Sequence, residues 1–176
     1  MLNKRLVRKQ LLFFICGSIF LATSVMAQDV YQRTLDADVQ HYLFNLSLND
    51  KTNEIIGEAE ISVDFKKSTD IFNLDLIGKK GVYGMEIIEV LENDEKTIFS
   101  YVDDKIMIST SLDSTLKSTY KIKYRGIPER GLVIDTTKYG QRSFVGDNWP
   151  NLARHWLPSA DHPYDKALSL IHISEP

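Results

Sequence analysis

Beyond position 27 this sequence has no cysteine. Its one Cys, Cys16, belongs to the opening segment, so the 149 residues that follow can form no disulfide and offer no thiolate to a metal. A basic excess is also missing: those residues hold 17 Lys and Arg against 24 Asp and Glu, a net charge of −7 that argues against nucleic acid as a partner. No stretch of them repeats apolar residues at a sustained 3.6-residue spacing, which excludes a helical bundle and a fold of alternating strands and helices. There is no internal repeat and no low-complexity linker. Proline is rare until late; four of the five lie between Ile127 and Pro163.

The opening 27 residues have their own character. Lys4, Arg5, Arg8 and Lys9 make a basic start without acids, and Leu11 to Ala22 is almost unbroken apolar chain. That run is short for a bilayer span, and Val25-Met26-Ala27 places small residues where signal peptidase cuts. A cleavable secretory signal is expected, with cleavage after Ala27 and a secreted or periplasmic product that keeps no stable membrane span. The competing reading, an uncleaved anchor, lacks a following stop-transfer pattern. Cys16 lies mid-run rather than just after the cleavage point, which disfavours lipidation.

The rest reads as strands. Tyr42, Phe44, Leu46 and Leu48 alternate with His41, Leu43, Asn45 and Ser47, and Ala59, Ile61, Val63 and Phe65 with Glu58, Glu60, Ser62 and Asp64. Period two puts each set on one face. The polar stretch Asn49–Asn53 between them predicts a hairpin. Further short runs lie at 71–77, 82–91, 98–102, 105–109, 118–124 and 132–135, separated by glycines and acidic clusters. Many short strands without helices between them predict an all-β chain, an antiparallel sandwich or related saddle-like sheet. The acidic clusters near Asp94 and at Asp103-Asp104 lack the spacing of a calcium loop. After Gly126 the composition shifts: Trp149, Trp156, Arg142, Arg154, His155 and His162 gather in a segment read as irregular, of the kind that more often forms sites or interfaces than framework.

That segment carries a resemblance. Ala153-Arg154-His155-Trp156-Leu157-Pro158 followed by Asp161-His162-Pro163-Tyr164-Asp165-Lys166-Ala167 resembles the pattern A-R-x-x-x-P-x-x-D-x-P-x-x-K-A that closes the N-terminal domain of aminopeptidase N-like zinc metallopeptidases. Ala153, Arg154, Pro158, Asp161, Pro163 and Lys166 fall on its marks. Tyr124-Arg125-Gly126, Gly131-Leu132 and His41-Tyr42 are similar to the family's strand end, following turn and opening strand. The chain departs from the pattern at Ser159, where the family usually has Cys, and at His162, where it usually has Glu. The Gln or Glu common before the A-R pair is replaced by Phe144–Pro150.

The resemblance implies the N-terminal β domain, residues 28–167, of a secreted zinc aminopeptidase, incomplete at its C-terminal side. The family's zinc motif, H-E-x-x-H, is not formed by His41, His155, His162 or His172. The resemblance therefore implies zinc and peptide substrates for the intact parent, whose missing catalytic domain would be this domain's partner. In this chain it implies neither metal nor catalytic residue. His155, Asp161 and His162 make a poor alternative metal set, since an adjacent Asp and His seldom reach one ion. Arg154 and Asp161 are expected to pair and hold the junction. By position before Ala153, Asp147 and Asn148 are candidate acceptors for a substrate ammonium, with Trp149 against its first side chain; Gly146-Asp147-Asn148 as a plain turn is the equal alternative. A free-standing secreted β-sandwich binding module, with Trp149 and Trp156 at its contact surface, is the competing function.

Residues 168–176 read Leu-Ser-Leu-Ile-His-Ile-Ser-Glu-Pro. They break from the family, where a strand should continue from Lys166-Ala167, and match, residue for residue, the translation of a transposon-end sequencing adapter, so an artefactual tail is expected; a divergent native strand is the alternative.

Overall fold

The computed structural model describes residues 36–112, 115–164 and 166–174. The expected signal segment, 1–27, and its expected cleavage point lie outside them. Eleven strands follow in order: β1 (Ala37–Ser47), β2 (Ile55–Phe65), β3 (Ile71–Asp75), β4 (Gly84–Glu92), β5 (Glu95–Lys96), β6 (Phe99–Val102), β7 (Lys105–Ser109), β8 (Lys117–Ile127), β9 (Leu132–Thr136), β10 (Arg142–Gly146) and β11 (Leu168–Ser174). A 3-10 turn spans Ala153–His155. None of the described residues forms a helix long and apolar enough to cross a membrane.

β1 and β2 form the expected hairpin, and the Asn49 Oδ1 closes its turn by accepting from the N–H groups of Lys51 and Thr52 at 2.9 and 2.7 Å. They belong to a six-stranded sheet in the order β11-β1-β2-β8-β4-β5. A three-stranded sheet, β3-β7-β6, and the hairpin β9-β10 complete the described strands. Every neighbour pair is antiparallel except β1 with β11, which run parallel.

The period-two sets pack as their alternation demands. Tyr42, Phe44, Leu46, Ala59, Ile61, Val63, Tyr120, Ile122 and Tyr124 are buried on one face of the large sheet, against Phe72, Leu74, Ile106 and Ile108 of the small one. Phe72 of β3 stacks on Tyr120 of β8 with ring centres 5.0 Å apart, so one aromatic pair joins the two layers. Two carboxylates are buried among the described residues, Asp75 and Glu92. Glu92 accepts from Ser111 N–H, Ser118 Oγ and Tyr120 Oη at 2.8 to 2.9 Å, which replaces the water lost on burial. The opposite face of the large sheet is charged in rows. Lys123 and Lys121 of β8 face Glu58 and Glu60 of β2 at 3.6 and 3.8 Å, and Arg125 meets Glu86 of β4 at 3.3 Å.

Two segments differ from the sequence reading. Residues 142–146 form β10, paired with β9 over five residues, where an irregular segment was expected. Its signal is weak because Arg142, Ser143, Val145 and Gly146 give no apolar alternation around Phe144. Residues 168–174, read as an adapter-derived tail, form β11. They pair with β1 through the backbone, with one added bond from Ser174 Oγ to the Leu46 carbonyl at 3.2 Å; all seven residues are exposed, so no pattern of burial selects this sequence.

Candidate functional site

The hairpin β9–β10 leads straight into the candidate residues. Val133 and Val145 oppose each other on its exposed face, while Leu132, Ile134 and Phe144 turn toward the core. After β10 the chain bends sharply. Asp147 N–H donates to Gly131 carbonyl at 2.7 Å, and the Asp147 Oδ1 accepts from Trp149 N–H at 3.2 Å. Asn148, itself exposed, accepts at its Oδ1 from the Trp156 indole N–H at 2.9 Å. Trp149 is 80% exposed, and the bond to Pro150 is cis.

The structure thus separates the three candidates. Asp147 is exposed and free to face a cation on its Oδ2 side. Asn148 has its amide oxygen committed to Trp156. Trp149 projects into solvent, while Trp156 is only 5% exposed, so the two tryptophans do not form a common surface. Gly131 explains how Trp156 fits. With φ of +78°, a Cβ there would run into the Leu152 carbonyl and the Trp156 ring.

From Ala153 the chain turns and runs along the edge of β3. Pro158 is buried, and Ser159 exchanges backbone hydrogen bonds with Asp75, extending the small sheet by one bridge. The Tyr42 Oη accepts from Ala160 N–H at 2.9 Å, tying the opening strand to the closing segment. Arg154 donates from Nε to Asp161 Oδ2 at 3.0 Å and from Nη2 to the Asp161 carbonyl at 2.7 Å. The expected Arg154–Asp161 pair is therefore present. Pro163 and Lys166 are exposed beyond it.

Asp75 is the group that sequence reasoning missed. It ends β3 with a side chain only 3% exposed, takes Lys105 Nζ at 3.3 Å, and lies 3.6 Å from Arg154 Nη2. Its one signal was an acid inside the apolar run Ile71–Ile77. His155 lies beside this network with Nδ1 buried and 3.9 Å from Glu129. Burial holds its imidazole below the usual value, Arg130 and Arg154 push the same way, and Glu129 and Asp161 oppose them. His162 turns instead to Tyr164, its Nδ1 accepting that residue's N–H at 3.3 Å. Among the described residues no three His, Cys, Asp or Glu side chains are grouped to hold a metal.

Neither the protein-family models nor the curated proteins give a match to this sequence. Solved structures do match its fold. The M1 zinc metallopeptidase of Deinococcus radiodurans superposes with a TM-score of 0.61 at 19% identity, over 80% of this chain and 33% of that one. A mutant of that enzyme bound to a Tyr-Ser-Ala substrate gives 0.64 at 20% identity, over 81% and 33%. The native yeast LTA4 hydrolase gives 0.69 at 21% identity, over 90% of this chain and 27% of that one. The chain therefore spans about a third of the length of the solved enzymes it resembles, and it has the fold of the N-terminal β domain of aminopeptidase N-like, M1-type zinc metallopeptidases.

Proposed function

We propose that this chain is the N-terminal, non-catalytic domain of a secreted zinc-dependent aminopeptidase whose intact form removes N-terminal residues from peptides by metal-assisted hydrolysis. The observation that carries this reading is the segment Ala153–Ala167. Its Arg154 and Asp161 both meet Asp75 at the end of β3 and its Ser159 is bridged to the same residue, so its first half is held against the sandwich. A shared fold over only about a third of the solved peptidases supports a parent with further domains. The parent's zinc and its water-activating Glu would then lie outside this chain. The secretory signal and cleavage after Ala27 are part of the same proposal, as is the adapter origin of residues 168–176, which the uniformly exposed side chains of β11 support.

In the intact parent, the Asp147 carboxylate is positioned to oppose a substrate's α-ammonium, with Trp149 beside it. An intact copy of the gene should continue past Ala167 into a helical domain with H-E-x-x-H. The product should release amino acids from aminoacyl chromogenic substrates and stop when a chelator removes zinc. Asp147→Ala should raise KM and lower kcat/KM without changing zinc content; unchanged kinetics would move the amine contact elsewhere. The exposed Trp149, Val133 and Val145 favour the competing reading, a free-standing secreted binding module. An intact reading frame that ends near residue 180 or lacks the zinc motif would select it.

A further inference from the structure

The small sheet ends on an open edge. Its order is β3-β7-β6, so among the described residues β6 has a strand on one side only. β6 and β7 close on the two-residue turn Asp103-Asp104, with both residues at positive φ. The Ile98 carbonyl accepts from Ser109 N–H at the end of β7 at 2.8 Å, so by alternation Ser100 and Val102 also turn their backbone groups to β7. Phe99 and Tyr101 turn theirs the other way, outward. Nearby, β4 is covered by β5 only at Leu91 and Glu92. A pocket of about 720 Å³ lies between β4 and β6, lined by Ile87 of the one and by Phe99 and Tyr101 of the other, so the gap between these two strands is not filled.

Native sheets blunt an exposed edge with charge, proline or a bulge. β5, at the border of the large sheet, is Glu95-Lys96. β6 reads Phe99-Ser100-Tyr101-Val102 and has none of these devices, and Ile98 and Val102 are exposed along it. The strand that fits this edge is a second copy of itself. Antiparallel pairing about Ser100 sets Phe99 opposite the partner's Tyr101, where the outward groups of both can bond, and Ile98 opposite the partner's Val102. It also carries the exposed Lys96 to the partner's Asp103-Asp104 turn, so opposite charges meet at both ends. Centring the pair on Phe99 instead sets Glu95 against the partner's Asp103. Centring it on Tyr101 sets Asp103 and Asp104 against the partner's Phe99 and Ile98. Cross-strand charge therefore selects the Ser100 register. We propose that two copies of this chain associate by antiparallel pairing of β6 with β6 across a two-fold axis at Ser100, joining their small sheets into one. The proposal does not depend on whether the parent is a peptidase.

The test is register-specific cross-linking of the full chain carrying Cys16→Ser. Ser100→Cys should oxidise to a dimer, because a directly opposed pair outside the hydrogen-bonded positions brings its side chains within reach of a disulfide. Ile98→Cys and Val102→Cys should each fail to cross-link alone and should cross-link when mixed. Sedimentation velocity should show a weak dimer, with a dissociation constant on the order of 100 µM, as suits a short interface. Val102→Lys changes an exposed side chain and should weaken the dimer at least about tenfold by setting a charge against Ile98, with an unchanged thermal melt. Lys96→Glu should weaken it about tenfold by turning attraction into repulsion at both ends. No cross-linked Ser100→Cys dimer, equal cross-linking of Ile98→Cys alone, or unchanged association in Val102→Lys would overturn the proposal. So would a chain that stays monomeric and binds a synthetic peptide of alternating Thr and Val along β6, since the edge would then take a foreign strand.

Discussion

The Arg154 guanidinium lies between two carboxylates, with Nε 3.0 Å from Asp161 and Nη2 3.6 Å from Asp75. Asp161 belongs to the guanidinium's own segment, so that contact shapes a turn. Asp75 ends a strand far away in sequence, so that contact fixes the turn to the sandwich. Asp75 also accepts from Asp161 N–H at 3.3 Å. Its removal leaves Arg154 with a weakened set of partners in a largely buried place. Asp75→Ala is expected to cost about 3 kcal/mol, in the range for breaking a buried ion pair. Arg154→Lys, which keeps the charge but loses the fork, should cost less, about 1 kcal/mol. Urea unfolding followed by tryptophan fluorescence measures both. A loss from Asp75→Ala no larger than that of a surface substitution, about 0.5 kcal/mol, would show that the turn holds itself.

Tyr124 and Gly57 face each other across β2 and β8, and a Cβ at Gly57 would fall inside the Tyr124 ring. Gly57→Ala is therefore expected to destabilise by about 2 kcal/mol through overpacking. The Tyr124 hydroxyl is fully buried with no partner, and burial pushes its phenol far above the usual value. Tyr124→Phe removes that unmet polar group and should raise stability by about 1 kcal/mol. Thermal melts of the two variants should move in opposite directions. A destabilised Tyr124→Phe would mean that a buried water serves the hydroxyl.

His155 makes stability depend on pH in a defined window. Its folded-state pKa lies below the ordinary 6.5, chiefly through burial. The unfolded chain therefore takes up the proton first, and stability falls as pH drops below about 6.5. Asp104 acts lower. Burial raises its carboxyl, but hydrogen bonds from Lys80 and Gly78 N–H outweigh this and hold it below the ordinary 3.8, so its contribution is lost only under more acidic conditions. Unfolding free energy measured from pH 7.5 to 5 should decline in the wild type and decline less in His155→Gln. Equal slopes would place the acid-sensitive group elsewhere.

β11 supplies backbone hydrogen bonds to β1 and no buried side chain. A chain ending at Ala167 should keep its stability to within about 1 kcal/mol, since no apolar core surface is lost. It should self-associate more, because removal of β11 uncovers the open edge of β1. Urea titration and sedimentation velocity test the two halves separately. A large loss of stability would make residues 168–174 an integral strand.

The β1–β2 hairpin was legible because Tyr42, Phe44, Leu46 and Leu48, and then Ala59, Ile61, Val63 and Phe65, repeat with period two around a polar turn. Such a pattern can bury only one face, so pairing and register follow from it. The same logic recovered β8 from Tyr120, Ile122 and Tyr124. It failed at β10, where Phe144 stands alone among polar and small neighbours and the strand exists because β9 pairs with it. It failed also at β11, whose pairing uses groups that every residue possesses.

At the candidate site, sequence alone placed Asp147, Asn148 and Trp149 side by side and expected Arg154 to pair with Asp161, because these depend on neighbours along the chain. Only the tertiary structure committed the Asn148 amide oxygen to Trp156 and left the Asp147 carboxylate without such a long-range bond. It also brought Asp75, Tyr42 and the 153–161 segment together. Alternation along a strand records which face meets the core. It carries no record of which distant strand end a buried charge will meet, since that depends on how the two sheets stack and where the closing segment crosses them.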